Sequence, residues 1–235
     1  SGEESDQRYL SGFDAPDPFF TLFTPDRLSL LVSALEYGRA RSSSRADEVV
    51  RRNEYDFRKH VAEHGPREAR ARTIAAFLDD RDVERVLAPE RFPLGLADRL
   101  REQGIEIRVN EADALGDVRA VKTDEEIEHV RRSQRANEAA MGAAEELLAG
   151  ATVVDGTLQV GGDPLTSERV KEEIEVTLLR HGCGLDETIV ACGEAAADPH
   201  DRGSGPLAAW EPIVVDIFPR GKASGYHADM TRTFA

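Results

Sequence analysis

The sequence predicts an α/β domain followed by an α+β domain, and three features carry that reading. Short apolar runs alternate with helical patterns through the first half. A helix-start signal near residue 123 opens one long helical stretch. Two apolar runs at the end are spaced as paired strands. A length of 235 residues exceeds the roughly 100–150 of a typical domain. Two domains are therefore expected, over residues 1–118 and 119–235.

The first domain reads as strands at Phe19–Phe23, Arg27–Ser33, Val83–Leu87 and Ile105–Val109. Pro66 suits a first helical position, and Ile74, Phe77 and Leu78 supply an apolar stripe behind it. A second helix is expected over Leu94–Glu102, with Gly104 just past its end. Strands and helices in this order suggest a sheet covered by helices.

The second domain opens at Thr123-Asp124-Glu125-Glu126, a capping box whose acids also suit the positive end of a helix. Ile127, Val130, Met141, Ala144 and Leu148 recur at helical spacing, which predicts a helix to about Leu148 closed by Gly150. A Gly-rich loop follows over Asp155–Pro164, then a helix over Ser167–His181 with Val170, Ile174 and Leu178 on one face. Thr188–Ala191 reads as a strand, Gly193–Gly205 as a polar loop, and Ile213–Phe218 and Tyr226–Phe234 as a strand pair.

Composition narrows the function. The formal net charge is −15 and the isoelectric point about 4.9, so the chain repels phosphate backbones and no nucleic-acid partner is expected. Only four of the 30 basic residues are lysine: Lys59, Lys122, Lys171 and Lys222. An acidic, lysine-poor surface suits the salt-rich cytoplasm of a halophile, where ionic strength screens self-repulsion. A GC-rich coding sequence gives the same arginine bias. No apolar run approaches the roughly 18–20 residues that span a bilayer, and the polar start has no apolar signal region, so no membrane association is expected. Cys183 and Cys192 impose no disulfide framework. A cytoplasmic location is the expectation.

Asp216 is the first candidate for chemistry. It interrupts the apolar run Ile213–Phe218, where a buried carboxylate needs a partner. Asp229 is the second, in Gly225–Phe234. A hairpin pairing Phe218 with His227 sets Asp216 directly opposite Asp229, with Cβ atoms about 4.5–5.5 Å apart. Two such carboxylates repel unless a proton or a cation intervenes. Two divalent ions could be clamped there, and all-oxygen ligation favours manganese-like ions over copper. Either acid could instead pair with Arg220 or Arg232. His200 reads as a solvated loop histidine beside Asp198 and Asp201. His227 shares the Asp229 face if the register holds. His60, His64, His129 and His181 read as solvated, and the two cysteines as small packed thiols.

The stretch Val214-Val215-Asp216 followed by Gly225-Tyr226-His227-Ala228-Asp229-Met230-Thr231-Arg232-Thr233-Phe234 resembles the metal-binding hairpin of the pita-bread metallopeptidases. That family includes aminopeptidase P, prolidase and methionine aminopeptidase. Val118–Ile127 is similar to the run into the family's first catalytic helix, and Tyr9-Leu10-Ser11-Gly12-Phe13 to the start of the prolidase and creatinase N-terminal domain. The resemblance implies a creatinase/prolidase-type α/β domain followed by the first half of a pita-bread catalytic domain. It implies an exopeptidase acting on Xaa-Pro bonds, with peptides carrying proline at the second position as substrates. It makes Asp216 and Asp229 metal ligands for two divalent ions, manganese or cobalt, and gives His200 the catalytic role of assisting proton transfer near the scissile bond. His227 becomes a candidate substrate-binding residue, and a homodimer is expected. The hairpin loop is slightly longer than the commonest family pattern, and Gly221–Gly225 could hold the extra residues.

The family's remaining ligands, a histidine and two glutamates, match no residue up to Ala235. On that basis the chain is expected to be C-terminally truncated, to bind metal weakly and to be inactive alone. Two rivals remain: a metal-free creatinase-like hydrolase, which the presence of both aspartates disfavours, and a non-catalytic binding module.

Overall fold

The computed structural model of the protein describes residues 5–112 and 114–235. The chain divides into two compact units between Val121 and Lys122.

The first unit begins with α1 (Ser5–Ser11) and a hairpin of β1 (Phe20–Phe23) and β2 (Leu28–Val32). After α2 (Tyr37–Ser43), β3 (Glu48–Arg51) lies parallel to β2, completing a three-stranded sheet. A 3-10 turn leads to α3 (Phe57–His64) and α4 (Pro66–Asp79). Then β4 (Arg85–Ala88), α5 (Leu94–Glu102) and β5 (Glu106–Val109) form a parallel β-α-β unit, followed by α6 (Ala114–Ala120). The strands thus fall into two separate ladders rather than one sheet. Glu48–Arg51, α1, α2, α3 and α6 do not show as patterns in the sequence because none exceeds eight residues, too short for a clear period.

One core of this unit joins Ala71, Ile74, Phe77 and Leu78 of α4 to Leu96, Ala97 and Leu100 of α5 and to strand residues Leu22, Leu31, Val50 and Ile107. The spacing of the α4 set is a helical stripe, and each such side chain contributes about 1.5–3 kcal/mol on burial. β2 is buried along its whole length. Its one polar residue, Ser29, donates to Glu48 at 2.9 Å, and Glu48 in turn meets Arg81 at 2.9 Å, so the burial is compensated.

The second unit opens with α7 (Asp124–Ala149), whose N-cap Thr123 accepts from the Glu126 N–H while the Glu126 carboxylate accepts from the Thr123 N–H. The expected Gly-rich loop is instead a small meander of β6 (Thr152–Val154), β7 (Thr157–Val160) and β8 (Asp163–Pro164). Asp155 and Gly156, both at positive φ, turn the first hairpin. After α8 (Ser167–Arg180) come β9 (Cys183–Gly184), β10 (Thr188–Cys192), β11 (Ile213–Ile217), β12 (Arg220–Gly221) and β13 (Met230–Phe234). The main sheet runs β10-β11-β13, all antiparallel, and β12 pairs with β9.

One face of that sheet is core. Val190, Ile213, Val215 and Ile217 pack with Ala136, Ala140, Met141 and Ala144 of α7 and Val170, Ile174 and Leu178 of α8. Ile127 and Val130, expected on the buried stripe, are each 36% exposed. Three of the buried positions of α7 are polar instead: Glu126, Ser133 and Asn137.

Candidate active site

The alternation along β11 sends Ile213, Val215 and Ile217 into the core and leaves Val214 and Asp216 half-buried on the opposite face. Asp216 is therefore not sunk in the interior. Its register partner is Thr231, with Ile189 of β10 on the other side. This corrects the expected register by two residues. Arg220 bridges His227, the Ala228 N–H donates to the Pro219 carbonyl at 3.0 Å, and the turn takes up Gly221–Tyr226. The cause is β9, which keeps Arg220 and Gly221 extended as a partner strand, while the Lys222 N–H donates to the Gly182 carbonyl at 3.0 Å.

A slip of two preserves the face, because side chains alternate with period two. Asp216, Asp229 and His227 consequently keep the same parity, with Asp229 diagonal to Asp216 rather than opposite. Diagonal positions lie about 7–8 Å apart. Asp229 and His227 are exposed, while Ala228 between them is buried. The Thr231 hydroxyl donates to Asp216, and the Thr188 hydroxyl donates to the Asp216 carbonyl at 2.7 Å. Neither basic neighbour pairs with the aspartates. Arg232 donates to the Thr231 carbonyl at 2.7 Å and Arg220 to the Gly225 carbonyl at 3.4 Å. Two carboxylates on one sheet face, with no ion-pair partner among the described residues, form an oxygen donor set that fits hard or borderline divalent cations.

The turn between them is held by the polar stripe of α7. The Glu126 carboxylate accepts from the Tyr226 hydroxyl, His129 stacks on the Tyr226 ring with centroids 5.6 Å apart, and Ser133 donates to the Tyr226 carbonyl at 2.8 Å. One turn further on, Asn137 donates to the Ile217 carbonyl at 2.9 Å. Residues 126, 129, 133 and 137 thus line one helical face and grip both ends of the hairpin. Burial works against ionisation of Glu126, but the Thr123 N–H, the Tyr226 hydroxyl, the Thr123 side chain and the charge of Lys122 outweigh it and hold the carboxyl below its ordinary range. Gly221 sits where any Cβ would meet the Ser224 hydroxyl at 2.7 Å and the Ser133 hydroxyl at 3.0 Å. The sequence reading missed this brace, although the 3–4–4 spacing of polar residues at 126, 129, 133 and 137 was a visible signal.

His200 lies in an exposed turn after β10, its N–H donating to the Asp198 carboxylate at 2.9 Å. The chain then returns along the outer edge of β10, where the Val190 N–H donates to the Arg202 carbonyl at 3.1 Å. The N-terminal end of α8 anchors this return. Lys171 donates to the Gly203 carbonyl at 2.8 Å, the Ser167 N–H to the Gly205 carbonyl at 2.9 Å, and the Gly205 N–H to Glu168 at 3.1 Å. Arg202 pairs with Glu187. His200 therefore sits beyond the β10 edge, whereas Asp216 is one strand in and Asp229 lies at the β13 side.

The model for the creatinase/prolidase N-terminal domain matches residues 2–133, and that for metallopeptidase family M24 matches residues 128–235. Among solved structures, prolidase from Pyrococcus furiosus is 22% identical with a TM-score of 0.74, covering 97% of this chain and 62% of that one. X-Pro aminopeptidase from Thermotoga maritima is 21% identical with a TM-score of 0.75, covering 99% and 59%. Xaa-Pro dipeptidase from Bacillus anthracis is 18% identical with a TM-score of 0.73, covering 99% and 58%. At such identities the likeness is one of fold, and the chain spans about 60% of the length of these structures. No curated protein matches the chain. Fold and hairpin together define a creatinase/prolidase-type α/β domain joined to a partial pita-bread domain. The chain belongs to metallopeptidase family M24, with the creatinase/prolidase N-terminal domain in front. Among the described residues no helix is long and apolar enough to cross a membrane.

Proposed function

We propose that the protein is a metal-dependent exopeptidase that hydrolyses Xaa-Pro bonds. The observation that carries this reading is the pair Asp216 and Asp229 on one face of the β11–β13 ladder, without a basic partner. The names of the solved structures, prolidase, X-Pro aminopeptidase and Xaa-Pro dipeptidase, support the choice of bond.

In this reading Asp216 and Asp229 hold two divalent ions, manganese or cobalt. Bound ions of this kind supply Lewis acidity and lower the pKa of water. Thr231 fixes the orientation of Asp216 by its hydrogen bond, leaving the other carboxylate oxygen for ligation. His200 stands on an anchored loop, from which it reaches the substrate and donates a hydrogen bond or a proton as charge develops on the scissile carbonyl oxygen. His227, on the Asp229 face, contacts the substrate. The working enzyme is a cytoplasmic homodimer, and its acidic surface suits high salt.

The test is an assay of the product of the complete reading frame, reconstituted with manganese or cobalt, on Xaa-Pro dipeptides and longer Xaa-Pro peptides. Hydrolysis that is lost in Asp229→Asn and reduced about a hundredfold or more in His200→Ala supports the reading. No hydrolysis of any Xaa-Pro peptide would falsify it.

A further inference from the structure

Helix α3 carries His60, Glu63 and His64, and one potential ligand atom from each lies within 4.8 Å of the others. The spacing i, i+3, i+4 sets all three on one helical face. The two imidazoles stack with centroids 6.3 Å apart and an interplanar angle of 28°, and His64 Nε2 is 3.6 Å from a Glu63 oxygen. Glu63 and His64 are exposed, and His60 is half-buried. His60 Nδ1 is sheltered from solvent and has no hydrogen-bond partner among the described residues. A sheltered, unpaired ring nitrogen is costly.

We propose that His60, Glu63 and His64 form a binding site for a single divalent transition-metal ion of the zinc class, separate from the Asp216–Asp229 hairpin. Two imidazoles and one carboxylate supply three ligands, and water completes the tetrahedron. Imidazole nitrogen selects zinc, nickel or copper over the oxygen-seeking manganese expected at the hairpin, so the two sites sort ions by donor type. Ligand atoms about 2.0–2.1 Å from zinc lie about 3.3 Å from one another in a tetrahedron. The present spread of 4.8 Å closes by side-chain rotation, for which two exposed residues have room.

The site has a structural consequence. α3 has eight residues and fully buries none of them. Isolated helices this short are marginal. An ion clamped between residues 60 and 64 closes the last turn of α3, immediately before Gly65 at φ +79° and the start of α4 at Pro66. Zinc bound only by the folded state would then stabilise the first unit by mass action.

The experiment is isothermal titration of chelator-treated protein with zinc chloride, on the wild type, on Asp216→Asn/Asp229→Asn, and on each with His60→Ala/His64→Ala added. Circular dichroism checks that α3, which buries no residue, tolerates the change. The expected result is one zinc equivalent retained by Asp216→Asn/Asp229→Asn and weakened at least tenfold by the histidine pair, with zinc raising the thermal midpoint of the Asp216→Asn/Asp229→Asn protein only when the histidines are present. Changes in outer-shell partners alone cost about 10–100-fold, so removal of ligands should cost no less. Unchanged zinc affinity in the His60→Ala/His64→Ala proteins, or no zinc bound by Asp216→Asn/Asp229→Asn, overturns the proposal.

Discussion

The hydroxyl of Tyr226, at the turn between β11 and β13, donates to the carboxylate of Glu126, one hundred residues earlier in the first turn of α7. The same Glu126 closes the capping box with Thr123. One carboxylate thus starts the helix and fixes the hairpin that the helix carries. Tyr226→Phe leaves part of that carboxylate without a partner in a residue only 8% exposed. The expected loss is about 1–3 kcal/mol, read as a lower urea midpoint with unchanged slope.

Asn137 extends the grip to the other strand through the Ile217 carbonyl. Asn137→Ala removes that donor and opens a small cavity, but it also removes the buried Oδ1 that has no partner among the described residues, so the expected cost is about 1–2 kcal/mol. Equilibrium unfolding monitors it. Ser133→Ala, which affects the Tyr226 carbonyl nearer the surface, should cost less, about 1 kcal/mol.

The depressed pKa of Glu126 gives a pH dependence with a definite sign. A carboxyl held lower in the folded state than its ordinary value of 4.5 stabilises the fold fully above that value. The contribution is lost as pH falls below 4.5 and through the folded pKa. Urea midpoints between pH 7 and pH 3 should therefore fall more steeply for the wild type than for Glu126→Gln. Parallel curves for the two proteins would show that Glu126 is not held in this way.

Gly203 is the tightest point of the loop that carries His200. A Cβ there would lie 1.8 Å from the Val190 carbonyl oxygen, and its φ of +70° disfavours any side chain. Gly203→Ala should cost more than about 2 kcal/mol and detach the loop from β10. Limited proteolysis between residues 198 and 206 would report it, with cleavage much faster than in the wild type.

Much of this was legible in the sequence. The capping box at Thr123, Pro66 at the start of α4, and the helix over Leu94–Glu102 rest on local chemistry and need no tertiary information. The placement of Asp216 and Asp229 on one face followed from alternation alone, which is why it survived a register error of two. The register itself was not legible, because β9, whose Gly184 pairs with Arg220, decides where the turn begins. Nor was the polar brace. A helix is read by its apolar stripe, and the buried face of α7 near Glu126, Ser133 and Asn137 is polar because it serves backbone carbonyls of the hairpin. The meander over residues 152–164 was missed for the opposite reason, since its glycines suggested a loop while they were turning strands. The His60–His64 spacing was in plain view, but without the helix boundary nothing distinguished it from two solvated histidines.

Asp216 and Asp229 are proposed to act together as metal ligands. The most direct test is a manganese titration of the chain followed by the electron paramagnetic resonance signal of the free ion, comparing the wild type with Asp216→Asn and with Asp229→Asn. The account predicts that each single substitution weakens manganese binding about tenfold or more while the thermal unfolding of the metal-free protein stays close to wild type. Manganese affinity unchanged in either variant would contradict it.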